Sequence, residues 1–132
     1  DFHGAIDAYS QALNVDPELA YAHCNRGSAR RRLQDSNGAI LDLSQAIRLN
    51  PDYALAFNNR GYARLKQRDP EGAVADFDKA IELGDTGSGS YQLSMTYRNR
   101  AKAHRELNND EQAAKDDATA ERLGFKKNRR VR

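Results

Sequence analysis

The sequence predicts an all-α fold, a solenoid of seven helices arranged as antiparallel pairs, and three observations support that prediction. The first is a period of 34 residues. From Pro17 to Pro51 run Asn25-Arg26-Gly27, Gly38-Ala39, Asp42 and an apolar close at Ala46, Ile47 and Leu49. They recur as Asn59-Arg60-Gly61, Gly72-Ala73, Asp76, Ala80, Ile81 and Leu83. One step back lie Gly4, Ala5, Ile6, Ala12, Leu13 and Val15, so the chain opens halfway through a copy. A step of 40 forward reaches Asn99-Arg100-Ala101, Ala113, Asp116, Ala120 and Leu123. A fixed period of roughly 20 to 50 residues denotes stacked supersecondary units, none of which covers its own apolar face alone. The second observation is helical spacing of the apolar residues within each copy. The third is punctuation by Asp16-Pro17, Asn50-Pro51 and Pro70 at the expected boundaries.

The elements follow in order. Asp1 to Val15 reads as an amphipathic helix through Ile6, Tyr9 and Leu13, the second member of a pair whose first is absent, within a truncated unit at 1–19. A full unit at 20–53 holds helices from Ala20 to about Leu33 and from near Asn37-Gly38 to Leu49. Another at 54–87 holds Ala54 to Gln67 and Pro70 to Leu83, Pro70 suiting a first helical turn. Gly84-Asp85-Thr86-Gly87-Ser88-Gly89-Ser90 accounts for the widened step and reads as a flexible loop. A divergent unit at 88–124 then pairs Tyr91 to Leu107, a turn longer than its counterparts, with Glu111 to Leu123. Gly124 should stop that helix, leaving a basic tail at 125–132.

Composition fits one small domain, since 39% apolar and 30% charged residues describe a globular chain rather than a disordered one. No apolar run is long enough to span a membrane. The opening residues lack the basic and apolar regions of a signal peptide, and Cys24 alone forms no internal disulfide, which together favour a cytoplasmic setting. The net charge of +2 hides an uneven distribution. Lys126, Lys127, Arg129, Arg130 and Arg132 gather at one end, so the repeat body is mildly acidic.

A 34-residue unit with a Gly in the Asn-Arg-Gly triplet, Ala after Gly38 and Gly72, Tyr9, Leu43 and Phe77 at one position, Ala12, Ala46 and Ala80 at another, and a closing proline resembles the tetratricopeptide repeat. The resemblance covers Asp1 to about Gly124. It departs where the first helix is missing, where Ala101 replaces the triplet glycine, and where Asp117 replaces an apolar residue, so the last unit should pack less tightly. The resemblance implies a right-handed superhelix whose first-type helices line a concave groove, and a module that binds a peptide or a partner's surface. Asn25, Asn59 and Asn99 would then form a row, and a primary amide both donates and accepts, which suits a peptide backbone of any sequence. Around them Tyr21, Arg32, Leu55, Tyr62, Lys66, Met95 and Lys102 would supply a mixed, mildly basic wall with apolar anchors, favouring a partner of acidic character. The family's carboxylate-clamp pattern does not map, because Cys24, Ser28 and Met95 stand where basic or amide groups are wanted.

Catalytic chemistry finds no support, and no cofactor is implied. His3, His23 and His104 fall at different places in their repeats, no metal-ligand or nucleophile spacing occurs, and Asp116 and Asp117 point about 100° apart on one helix. The Gly/Ser loop lacks the lysine of a phosphate-cradling loop. The basic first-type helices, such as Arg26, Arg30, Arg31 and Arg32, raise single-stranded nucleic acid as an alternative ligand. Against it, Arg26, Arg60 and Arg100 each precede Asp42, Asp76 and Asp116 by 16 residues, an offset that predicts ion pairs within or between helix pairs. A purely structural role is the other alternative. The uncovered face of the first helix predicts self-association at that end.

Overall fold

The computed structural model describes the backbone of residues 1–84 and 89–131 and the side chains of residues 1–84 and 92–124. Among the described residues are seven helices and no strand: α1 Phe2–Val15, α2 Ala20–Arg32, α3 Ser36–Leu49, α4 Ala54–Lys66, α5 Pro70–Leu83, α6 Gly89–Glu106 and α7 Asp110–Val131. Each helix packs on its neighbours in the chain, and α2 also meets α4, which meets α6. No such approach links α3 to α5 or α5 to α7. The even-numbered helices therefore crowd together on the inside of a curved stack, and the odd-numbered ones spread along its outer side.

Local chemistry sets the helix ends. The Asp35 carboxylate accepts the Gly38 N–H at 3.0 Å, and that of Asp69 accepts the Gly72 N–H at 3.0 Å, so α3 and α5 start on side-chain caps. Asp16 and Asn50, each held extended by the proline that follows, close α1 and α3. The turns that end α2, α4 and α6 share a device the sequence hides. Gln34, Arg68 and Asn108 adopt left-handed φ values of 64°, 62° and 61°. The next amide returns to the helix, as from Asp35 N to Arg30 O at 2.9 Å and from Asp69 N to Arg64 O at 2.9 Å, satisfying carbonyls that the helix leaves free.

Two expectations require correction. Gly124 does not stop the last helix, because α7 continues to Val131. A glycine inside a helix costs only about 1 kcal/mol relative to alanine, which the rest of the helix can absorb. The flexible-loop reading of Gly84 to Ser90 also overreached at its end, since Gly89 and Ser90 open α6, which at 18 residues is longer than α2 and α4. Residues 85–88, on which the rest of that reading falls, lie outside the described residues.

Close approach explains the triplet glycine. A Cβ on Gly27 would sit 2.8 Å from Leu43 Cγ, and one on Gly61 would sit 2.7 Å from Phe77 Cε1. Leu43 and Phe77 are fully buried, so neither can retreat. In the last unit Ala101 stands at the equivalent place, and the residue that corresponds to Leu43 and Phe77 is Asp117. The methyl group and the short carboxylate have replaced glycine and a bulky side chain together. Asp117 turns to an ion pair with Arg105, while Ala101, Ala103, Ala113 and Ala120 form the buried layer.

The predicted arginine–aspartate pairs are present in all three units and reach further than one hairpin. Arg26 Nε and Nη2 donate to Asp42 at 2.9 and 2.7 Å, while its Nη1 donates to Ser10 of α1 at 3.1 Å. Arg60 repeats this with Asp76, at 3.0 and 2.8 Å, and with Ser44 of α3. Arg100 does so with Asp116, at 2.8 and 2.7 Å, and with Asp78 of α5. Each arginine thus ties its own outer helix to the preceding outer helix through an inner one. Arg30 and Arg64 add a second donor to Asp42 and Asp76, and His104 takes the corresponding place beside Asp116. The Asp42 carboxylate, and the Asp116 carboxylate with that of Asp78, hold Arg26 and Arg100 above the usual guanidinium range.

Candidate functional site

The inner helices enclose a groove made of three adjoining concavities. The central one, about 280 Å³, is lined by Asn25, Asn59 and Asn99, one from each inner helix, together with Leu55, Tyr62, Met95 and Arg32. A larger one, about 680 Å³, includes Arg32, Tyr62, Lys66 and Met95, and a third, about 330 Å³, includes Tyr62, Lys66 and Lys102. Tyr62 borders all three, which makes the middle of α4 the hub of the surface. Nine of the ten residues expected at a groove therefore line it. Tyr21, 53% exposed near the start of α2, lines none of these concavities.

The amides sit at different depths. Asn25 is half-buried, whereas Asn59 and Asn99 are buried, the former at 7% exposure. Asn59 also lies beside the Cys24 thiol, so this rung touches α2 as well as facing the concavity. Cys24, expected beside Asn25 at the groove, is instead fully buried among Ala39, Leu43, Ala46, Ala56 and Ala63, because a small side chain is what the α2–α3–α4 junction has room for. Burial pushes its thiol above the ordinary range, against the opposing hydrogen bonds from Tyr53 and Asn59.

Several lining residues lie outside the expected set, among them Asn58, Gln92 and Arg31. Asn58 lines the central concavity and accepts the Thr96 hydroxyl at 2.9 Å, linking α4 to α6. Gln92 adds an amide one repeat further on. Arg31 lies between the central and the large concavities, its guanidinium 4.5 Å from the centroid of the Tyr62 ring. No recurrence marks these positions, since the equivalents of Arg31 are Leu65 and Arg105. Only an explicit helical projection of every inner helix would have picked them out.

Charge is unevenly divided. Of the basic residues on the inner helices, Arg26, Arg30, Arg60, Arg64, Arg100 and Arg105 all pair with aspartates. Those lining the groove without an ion pair among the described residues are Arg31, Arg32, Lys66 and Lys102, although Glu106 shares the third concavity with Lys66 and Lys102. Among the described residues, no group of three or more His, Cys, Asp or Glu is placed to hold a metal, and no helix is long and apolar enough to cross a membrane.

A family model described as "TPR repeat" matches residues 1–34 and 27–67, and a second, "Tetratricopeptide repeat", matches residues 54–83. The chain belongs to the tetratricopeptide-repeat family. No curated protein matches it. Among solved TPR structures, MamA superposes with a TM-score of 0.79 at 23% identity over 97% of this chain and 67% of that one, a likeness of fold. The first TPR of Spaghetti (RPAP3), bound to HSP90 peptide SRMEEVD, shares 28% identity over 81% of this chain and 82% of that one, with a TM-score of 0.72. The Sgt2 TPR domain from Aspergillus fumigatus shares 32% identity over 79% and 71%, with a TM-score of 0.65. As a TPR array, the chain is a protein-interaction module.

Proposed function

We propose that this TPR array binds an extended peptide, or an extended segment of a partner's surface, along the groove formed by α2, α4 and α6. The observation behind this reading is the convergence of Asn25, Asn59 and Asn99 in one concavity beside Leu55, Tyr62 and Met95. The amides bond the ligand backbone and the apolar side chains anchor it. Three backbone hydrogen bonds at a net ~0.5 to 1.5 kcal/mol each give roughly 2 to 4 kcal/mol, while micromolar affinity needs about 8, so anchors and charge supply the remainder. With Arg31, Arg32, Lys66 and Lys102 making no ion pair among the described residues, and Glu106 the one acid lining the three concavities there, the ligand is acidic. The HSP90 peptide on the Spaghetti TPR, with three acidic residues and one arginine, is of that character.

Single-stranded nucleic acid is a poorer fit, because six of the arginines that suggested it are engaged by aspartates. Selection from a random peptide library, followed by titration at several salt concentrations, tests the proposal. An acidic, apolar consensus with micromolar affinity is expected. Failure to enrich any peptide, together with binding of oligonucleotides on a steep salt slope, would overturn it.

Self-association through α1 belongs to the same proposal. Leu13 is buried against α2, but Ile6 and Tyr9 are only partly covered and Phe2 is exposed. Light scattering at rising concentration should show dimers, and a strict monomer would refute this element.

A further inference from the structure

The largest concavity differs from the other two in what lines it. Phe2, Tyr62 and Met95 give it apolar surface, Arg31, Arg32 and Lys66 give it three positive charges, and no acid among the described residues lines it. Placing three cations around one cavity is unfavourable unless something answers them, and elsewhere in this chain arginines on inner helices are answered by aspartates. The ordinary explanation is that basic residues near the ends of α2 and α4 complement the helix dipoles. For Arg32 and Lys66, at the helix ends, that would suffice. It does not account for Arg31, whose guanidinium carbon stands over the Tyr62 ring of α4, 4.5 Å from its centroid.

Nor does it account for Arg31 Nε, which is buried and has no hydrogen-bond partner among the described residues. A buried donor without an acceptor typically costs about 1 to 3 kcal/mol, more where the group is charged. Burial, together with the like charge of Arg32, also lowers Arg31 from the ordinary guanidinium range, although it stays protonated. An oxyanion seated in the cavity would supply the missing acceptor and offset the repulsion. The Tyr62 ring, with Arg31 on it and Lys66 Nζ 5.4 Å from its centroid, fixes where the two cations stand before any ligand arrives.

We infer that the cavity formed by Arg31, Arg32 and Lys66 around Tyr62 is a subsite for an oxyanion, a carboxylate or a phosphate group, carried on a side chain of the bound peptide. This rests on the peptide-binding reading but is separable from it, because a free oxyanion probes the cavity without any peptide. The subsite lies toward the ends of α2 and α4, where Arg32 and Lys66 stand.

The arginine Nε–H groups report on this directly in a proton–nitrogen correlation spectrum of the whole chain. Sodium phosphate and sodium acetate are titrated separately, with sodium chloride holding ionic strength constant. Saturable movement of the Arg31 Nε–H signal is expected with at least one of them, while the signals of Arg26, Arg60 and Arg100, already bonded to aspartates, stay still. Which salt saturates at lower concentration tells phosphate from carboxylate. Substituting Lys66→Gln or Arg32→Gln, neither a core position, should weaken the response roughly tenfold, the loss expected for one charge-assisted contact. Movement equal to that of other arginines without saturation, or a response indifferent to both substitutions, would overturn the inference. A library-selected peptide whose affinity ignores Lys66→Gln and Arg32→Gln but falls with groove asparagine substitutions would remove the subsite and leave the peptide reading standing. Saturable oxyanion binding with no peptide enriched would do the reverse.

Discussion

Gly61→Ala isolates the packing logic of the repeat, because one methyl group sets two opposing terms against each other. Alanine is the better helix former, and in the middle of α4 it should gain about 1 kcal/mol over glycine. Against this, the new Cβ would lie 2.7, 2.9 and 3.1 Å from three atoms of the Phe77 ring. That ring is fully buried and packs with Leu65, Ala73 and Ala103, so it has nowhere to move. Overfilling a packed core costs about 1 to 3 kcal/mol, and contact with three ring atoms belongs in the upper part of that range. The net expectation is a loss of about 1 to 2 kcal/mol, read as a lowered urea midpoint at unchanged slope. Trimming the ring in Gly61→Ala/Phe77→Ala removes the clash, so the double variant should lose less than the sum of the single losses. Ala101→Gly supplies the opposite case: with Asp117 across from it, glycine gains no fit and forfeits about 1 kcal/mol of helix propensity. If Gly61→Ala proved as stable as the parent, close approach would not explain the glycine.

Two further outcomes follow from the ionisable groups. Asp76→Asn keeps the shape of a buried acceptor, 3% exposed, but leaves Arg60 and Arg64 without their counter-charge. Removing one partner of a buried pair costs about 3 to 5 kcal/mol, and the partial exposure of the arginines reduces this to about 2 to 4, whereas Glu111→Gln, which breaks an exposed pair with Lys115, should stay within about 0.5. Denaturant melts of the two variants check the contrast, and equal losses would contradict it. Burial, with the Cys24 thiol beside it, raises the Tyr53 phenol from 10.0 to about 12. The unfolded chain gives up that proton first, so this stabilisation is complete below pH 10 and is lost as pH rises toward 12. Tyr53→Phe should flatten the alkaline fall measured by thermal melts, and an unchanged fall would show the phenol to be irrelevant.

The repeat period made the fold legible, because each unit restates the same helices, glycine and ion pair. The 16-residue offset exposed the arginine–aspartate pairs but not their reach to Ser10, Ser44 and Asp78. That third contact crosses between units and depends on how neighbouring outer helices are spaced. The left-handed turns at Gln34, Arg68 and Asn108 were hidden because only Asn108 is a residue type that favours them. Gly124 misled because a glycine after a periodic run is a stop signal only if it takes up a left-handed conformation, and here the helix runs on. In the groove the recurring asparagines and the residues a turn or two from them were legible, whereas Asn58, Gln92 and Arg31, which the next unit does not repeat, were missed. Tyr21, exposed near the start of α2, lines none of these three concavities.

The central claim, that the asparagines hold a peptide backbone, is tested most directly by measuring dissociation constant and melting temperature together for Asn25→Ala and Asn59→Ala against a library-selected peptide. Asn25 is half-buried and forms no hydrogen bond among the described residues, so its loss should weaken binding about three- to tenfold, the equivalent of ~0.5 to 1.5 kcal/mol, with the melting temperature held. Asn59, which is buried beside Cys24, should weaken binding by a similar factor and also lower the melting temperature modestly. Intact binding in both variants, with a large fall in melting temperature, would mean that the asparagines serve only to bridge helices and would contradict the account.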